Sequence, residues 1–180
     1  QLLIRSFHEI DMNGPRFAGQ IHSKNFDDGN VFSGGWTTQQ VIGTAQWTTS
    51  SAGGSPTDYG VISSYFDGAH HETENWLISP SIDLTTGSSP VIHFDNAKNY
   101  TGPALELLVS TDYDGVSDPN EQGTWYLLPA IYSGGSFTWV NSGNIELGAF
   151  ISDHTYFAFK YTGTSVNAST WEIDNIIIRG

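Results

Sequence analysis

Apolar residues along this chain show no convincing 3.6-residue period. Short apolar segments recur instead, separated by Gly, Asn, Asp, Ser and Pro, which is the rhythm of a β-sandwich or jelly roll. The clearest predicted strands cover residues 76–78, 91–96, 105–110, 125–128, 137–140, 155–161 and 171–179. Alternation is plainest in Thr155-Tyr156-Phe157-Ala158-Phe159-Lys160-Tyr161, where Phe157 and Phe159 share a face, because successive side chains of a strand point to opposite sides. Little helix is predicted. The Ser- and Gly-rich stretch over residues 48–58, with Pro56 inside it, reads as a surface loop. Residues 1–20 stand apart: Leu2-Leu3-Ile4-Arg5 reads as a strand, and a polar link containing Gly14-Pro15 follows it. They are predicted to be an N-terminal strand and linker, with a single jelly-roll domain over residues 21–180.

Composition supports a folded domain. Six Trp, eight Tyr and ten Phe supply apolar surface for a core despite 20 Gly, and 180 residues suit one core. The formal charge of −13, with only six Lys plus Arg, repels a phosphate backbone and an anionic membrane face alike, so nucleic acid is excluded as a partner. The same carboxylates repel one another, a strain that a bound divalent cation relieves, so calcium is the expected cofactor. Without Cys, disulfides, thiolate zinc and cysteine nucleophiles are ruled out. These residues contain no signal peptide and no apolar run of spanning length, so no membrane insertion is expected of them. Sparse Lys and Arg with abundant Thr, Asn, Gly and aromatics suit an exported bacterial protein.

Four segments, in order, carry a family resemblance. They are Asn25-Phe26-Asp27-Asp28-Gly29 leading to Gly35-Trp36; Asn75-Trp76-Leu77-Ile78-Ser79-Pro80-Ser81-Ile82-Asp83-Leu84; Leu105-Glu106-Leu107-Leu108-Val109-Ser110-Thr111-Asp112-Tyr113-Asp114-Gly115; and Trp171-Glu172-Ile173-Asp174-Asn175-Ile176. With Ala158-Phe159-Lys160-Tyr161 between the last two, the chain resembles the choice-of-anchor J and cleaved-adhesin domains of Bacteroidetes-type surface proteins, relatives of the gingipain adhesin modules. The resemblance implies an all-β, two-sheet jelly-roll sandwich of the galactose-binding or MAM-like kind. It also implies export to the cell surface, with lipoprotein anchoring one way of staying there, and a structural calcium. Residues 1–20 would then be the tail of a preceding OB-like domain. No single ligand is implied.

Carried over from related jelly rolls, the calcium ligands map onto Asp27 on the first strand and Asp174 on the last, joined by backbone carbonyls. Hard anionic oxygens converging from distant strands would staple the chain's start to its end. Glu172, on the same strand face as Asp174, and Asp28, Asp95 and Asn175 are additional candidates. The plainer alternative is that Asp174 caps a strand and Asp27 sits in an Asp-Asp-Gly turn. Asp112-Tyr113-Asp114-Gly115-Val116-Ser117-Asp118 imitates the start of an EF-hand loop, but Gly123 stands where the bidentate Glu is needed. It reads as a polar hairpin loop.

No reaction is spelled out. Glu172-Ile173-Asp174 matches part of a Glu-x-Asp-x-x-Glu glycosidase strand, but positions 176, 177 and 178 are all Ile, so the paired carboxylate is missing. His70-His71-Glu72-Thr73-Glu74 gathers metal-ligating types, yet neighbours on a strand face opposite ways and a solvated loop is the simpler reading. His8, His22, His93 and His154 have no triad context. Among the aromatics, Trp76 and Trp171 are assigned to the core and Trp36 and Trp139 fit it too. Trp47, Trp125 and Tyr100 are the candidate ligand contacts, through which a sugar ring could stack. The sequons at Asn99 and Asn167 carry little weight. The sequence therefore points to a non-catalytic adhesion or carbohydrate-recognition module, a monomeric part of a larger surface protein, whose partner is a glycan or a host or surface protein. Its alternatives are an architectural spacer without ligand, or an accessory fragment of a glycoside hydrolase.

Overall fold

The computed structural model describes residues 19–52 and 57–180. The expectation of a linker over residues 1–20 lies outside the described residues except at Gly19 and Gln20. The described strands are β1 (Gln20–Lys24), β2 (Thr37–Ile42), β3 (Thr48–Ser50), β4 (Tyr59–Ser63), β5 (Tyr65–Phe66), β6 (Ala69–His70), β7 (Thr73–Ile78), β8 (Val91–Asn99), β9 (Glu106–Ser110), β10 (Tyr126–Leu128), β11 (Val140–Asn141), β12 (Ile145–Glu146), β13 (Tyr156–Gly163) and β14 (Thr170–Arg179). Helix among the described residues amounts to two single 3-10 turns, Ser33–Gly35 and Gly148–Phe150.

All pairings are antiparallel. One main sheet runs β11-β8-β14-β4-β3, with β1 alongside β14 and β12 alongside β8, the second runs β10-β9-β13-β7-β2, and β5 and β6 pair as a separate hairpin. Their inner faces meet in a core where Phe94 packs edge-on to Phe159 with ring centroids 4.9 Å apart. The predicted all-β jelly-roll sandwich is the observed one. One predicted strand is wrong in extent. Over residues 137–140 only Val140 enters a strand, because Ser136 and Phe137 hold φ of 55° and 53°, a left-handed conformation from which no ladder can start. The loop expected over residues 48–58 likewise contains the short edge strand β3, paired with β4.

β14 organises the first sheet. It pairs with β8 over most of its length, while its other edge is shared: β4 lies beside Thr170–Ile173 and β1 beside Ile176–Arg179. The seam between those two neighbours falls at Asp174 and Asn175. There the register against β8 slips and Asn175 takes φ 48°. The extra residue of this β-bulge restarts the alternation, so Trp171, Ile173, Ile176 and Ile178 all enter one core while Glu172 and Asp174 turn to the opposite face.

The second sheet is covered on both sides. Phe157, Phe159 and Tyr161 of β13 enter the main core, and Ala158 joins a second apolar cluster with Trp76, Ile78, Leu108 and Tyr113 on the outer face. A loop over residues 111–125 closes this cluster, laying Tyr113 and Trp125 against each other and Trp125 edge-on to Trp76 at 5.3 Å. Its acidic residues pin it. The Asp112 carboxylate accepts from the Thr124 N–H and hydroxyl at 2.6 and 2.9 Å and from Ser110 at 2.8 Å, and these bonds hold it below the usual carboxylate range. Asp114 accepts from the N–H groups of Val116 and Ser117, both at 2.9 Å. The EF-hand-like segment is thus a self-bonded lid over aromatic rings, as a polar loop reading expects.

Candidate functional site

An open cleft lies at the end of the first sheet where β14 begins. The register Thr170↔Ser63 and Thr170↔Asn99 brings the end of β4, the end of β8 and the start of β14 side by side. Each strand continues into a loop that lines the cleft. From β4 comes the β5–β6 hairpin, whose Asp67-Gly68 turn has φ of 52° and 73°, the left-handed pair that lets a two-residue turn match strand twist. It presents Tyr65, 52% exposed, with its ring 5.0 Å from that of His70. From β8 comes Tyr100, 65% exposed. The loop before β14 presents Asn167. With Thr101 and Thr170, these residues line a space of about 670 Å³, inside the roughly 300–1,000 Å³ common for small-molecule sites.

The cleft is preformed from below. The buried Tyr161 hydroxyl accepts from the Ser64 N–H at 2.9 Å and donates to the Ser169 carbonyl at 2.7 Å, joining the two walls. Burial pushes this phenol up from its ordinary value. Ser169 then donates to the Tyr100 carbonyl at 3.0 Å, and the Asn99 side chain accepts from the Tyr100 N–H at 2.8 Å. Those bonds hold Tyr100 at φ 65°, a conformation costly for an aromatic residue. Thr164 accepts from the Asn167 N–H at 2.9 Å, closing the loop that carries the amide. Two glycines permit the close approaches. A Cβ on Gly102 would lie 2.3 Å from the Ser169 nitrogen, and one on Gly163 would lie 2.0 Å from the Ser64 hydroxyl.

Of the three aromatic candidates, Tyr100 alone is at an open site. Trp47 is only 3% exposed and belongs to the main core, so the expected stacking platform there is corrected: its ring faces are already covered. It borders a smaller groove of about 400 Å³, beside the exposed ring of Phe32 and the side chains of Gln40 and Gln46. Trp125 is also corrected, because its ring seals the outer cluster against Trp76 and Tyr113. Tyr65 escaped the sequence reading, although the Asp67-Gly68 dipeptide flanked by aromatics is a strong hairpin signal. Of the adjacent histidines, His70 reaches the cleft while His71 stacks on Phe66 at 3.8 Å.

The acidic residues proposed for calcium gather only in part. Asp174 is buried at the seam, and desolvation pushes its carboxyl up to about 6, with Asp27 and Asp95 adding repulsion against the Asn175 N–H and the Thr57 hydroxyl, which favour the charged form. Asp27, expected on the first strand, lies instead in the exposed turn after β1, which the Gly29 N–H closes onto the Phe26 carbonyl at 2.9 Å, and from there it adds to the repulsion at Asp174. Asp95 stands opposite Asp174 in the β8–β14 register, but it and the remaining candidates are engaged by other partners. Asp28 accepts from the Asn30 N–H at 3.0 Å, Asp95 accepts from the Asn141 and Asn175 amides at 2.9 and 3.0 Å, and Glu172 lies beside Tyr59, raised by burial. Among the described residues, no group of three or more His, Asp or Glu side chains stands ready to hold an ion, so Asp28, Asp95 and Glu172 do not complete a carboxylate cage. The buried, repelled Asp174 carboxylate is of the hard, anionic type that calcium takes as a ligand.

No family model matches the chain, and no curated protein matches its sequence. Solved structures do match. The K3 cleaved adhesin domain of Lys-gingipain from Porphyromonas gingivalis superposes with a TM-score of 0.60 at 20% identity, covering 88% of this chain and 96% of that one. The K1 cleaved adhesin domain of the same protein gives 0.59 at 20% identity, covering 90% and 99%. A carbohydrate-binding module of the β-sandwich superfamily gives 0.54 at 15% identity, covering 91% and 64%. The shared property at these identities is the fold, an adhesin-like β-sandwich that carbohydrate-binding modules also use.

Proposed function

We propose that this domain is a non-catalytic carbohydrate-recognition module of an exported surface protein, and that its ligand binds in the cleft between Tyr65 and Tyr100. The observation that carries the reading is the convergence of two outward tyrosine rings with neutral hydrogen-bonding groups on one preformed space. Sugar rings offer apolar C–H faces for aromatic contact and hydroxyls for amides and Thr side chains, and binding sites of this mixed character are concave with few polar groups. The backbone that carries Tyr100 and the walls of the cleft are fixed by the Tyr161, Ser169 and Asn99 bonds before any ligand arrives, which lowers the ordering cost of binding. The sandwich fold shared with a carbohydrate-binding module supports the reading. A calcium held by Asp27 and Asp174 has a structural role in it, joining the turn after β1 to the bulge of β14.

The test is affinity electrophoresis and calorimetry against a panel of polysaccharides, comparing the wild type with Tyr65→Ala and Tyr100→Ala. Both residues are exposed, so both variants should fold. Loss of one ring contact worth about 1.4 kcal/mol lowers affinity about tenfold. Binding that survives both substitutions unchanged would place the ligand elsewhere.

A further inference from the structure

We infer that the ligand of this cleft is an uncharged oligosaccharide that runs from Tyr65 across Tyr100 to Phe137, an inference that rests on the glycan reading above. Charge favours a neutral ligand. Of the six Lys and Arg in the chain, four lie among the described residues, and none of them lines the cleft. Lys24 donates to the Asn30 and Ser33 carbonyls at 2.8 and 2.9 Å. Lys98 lies over the Trp171 ring at 5.7 Å, and Lys160 over Trp76 at 5.3 Å with Glu74 beside it. Arg179 is at the opposite end of β14, donating to Asn144. A uronate, sialate or sulfate entering the cleft would shed water without gaining a cationic partner, inside a molecule of formal charge −13. Among the described lining residues, only His70 can become cationic.

A line of rings extends beyond the cleft. Phe137, partly exposed, stands at right angles to Tyr100 with centroids 6.1 Å apart, so aromatic surface continues past the cleft. Its N–H donates to the Lys98 carbonyl at 2.8 Å, and the Thr138 carbonyl accepts from Ser133 at 2.6 Å. Tyr100, Ser136 and Phe137 all hold left-handed φ, at 65°, 55° and 53°. Non-glycine residues persist in this conformation only where the surrounding structure over-determines them, so the backbone bearing these rings is held in place. A single sugar ring against Tyr65 and Tyr100 would leave Phe137 unused, and a longer chain would reach it.

The experiment measures binding at about pH 8, where an imidazole is neutral, to neutral galactan, xylan and glucomannan and to acidic polygalacturonate, alginate and heparin. The expected result is binding confined to neutral chains, insensitive to salt, and weakened by Phe137→Ala about fivefold or more for long chains but not for the disaccharide of the same sugar. Asn167→Lys should add affinity for the acidic members. Preferred binding of an acidic chain that is still lost in Tyr100→Ala would overturn the uncharged ligand while leaving the glycan site standing. Equal loss in Phe137→Ala at every length, or none at any length, would overturn the extended path. Failure of every glycan to bind at millimolar concentration would overturn both readings.

Discussion

Replacing Tyr161 by Phe removes one oxygen from beneath the cleft and keeps the ring that fills the core. Tyr161, Ser64 and Ser169 are all fully buried, so water has no route to replace that oxygen. The Ser64 N–H and the Ser169 carbonyl both lose their partner. An orphaned buried polar group costs about 1–3 kcal/mol. The Ser64 hydroxyl, 3.1 Å from the lost oxygen, can turn to relieve only part of this, which puts the expected loss at about 2–3 kcal/mol. The cavity contribution is small because the ring remains. At about 2–4 °C per kcal/mol for a domain of this size, Tm should fall by roughly 4–12 °C. Urea unfolding of the two proteins measures the difference, with the slope unchanged if only stability moves. Glycan affinity should fall as well, although Tyr161 does not line the cleft, because the walls bearing Tyr65 and Tyr100 are joined through it. A stability change under about 0.5 kcal/mol, the range of ordinary surface substitutions, would refute the idea that this hydroxyl holds the cleft together.

The seam carboxylate gives a pH prediction. Because burial raises Asp174 from 3.8 to about 6, the folded state prefers its protonated form. Its stabilising contribution is complete below about 3.8 and is lost as pH rises through about 6. In chelator, therefore, Asp174→Asn should be more stable than wild type at pH 7, and the gap should close towards pH 4, as thermal melts would show. Calcium should stabilise the wild type alone, by about 2.7 kcal/mol at a hundredfold excess over Kd; equal response of the two proteins would remove Asp174 from any cation site. In the lid, Asp112→Ala frees the Thr124 N–H and hydroxyl and the Ser110 hydroxyl. It should expose Trp125 and redshift the tryptophan emission while leaving glycan affinity unchanged; an unaltered spectrum would show that the lid is held by its aromatic contacts alone.

Much of the sandwich was legible because its longest strands bury one face each. Phe157 and Phe159 alternate as a half-buried strand requires, and the aromatic and apolar residues of β8, β9 and β14 lie in runs bounded by turn residues. Edge strands were harder to see. Thr37-Thr38-Gln39-Gln40 and Thr48-Thr49-Ser50 carry little apolar signal because they have one strand neighbour each, and an edge with polar side chains looks like a loop in sequence. The run Ile176-Ile177-Ile178 conceals the bulge, since three identical residues have no phase; only the adjacent Asn175, a residue tolerant of left-handed φ, hints at it. Trp47 misled for the opposite reason, as its Thr- and Ser-rich surroundings describe the strand's solvent face and not the direction of its ring. The cleft depends on three loops meeting, and one-dimensional spacing does not encode that meeting: Tyr65, Tyr100 and Asn167 are far apart in sequence and converge only through the register of β4, β8 and β14. The Tyr161 bonds beneath them are invisible without the fold.

The most direct test of the glycan site is a crystal structure of the domain with its tightest-binding neutral oligosaccharide. The account predicts sugar rings seated on Tyr65 and Tyr100, with a hydroxyl bonded to the Asn167 amide. Sugar ordered in the groove beside Phe32, with the tyrosine cleft empty, would contradict it.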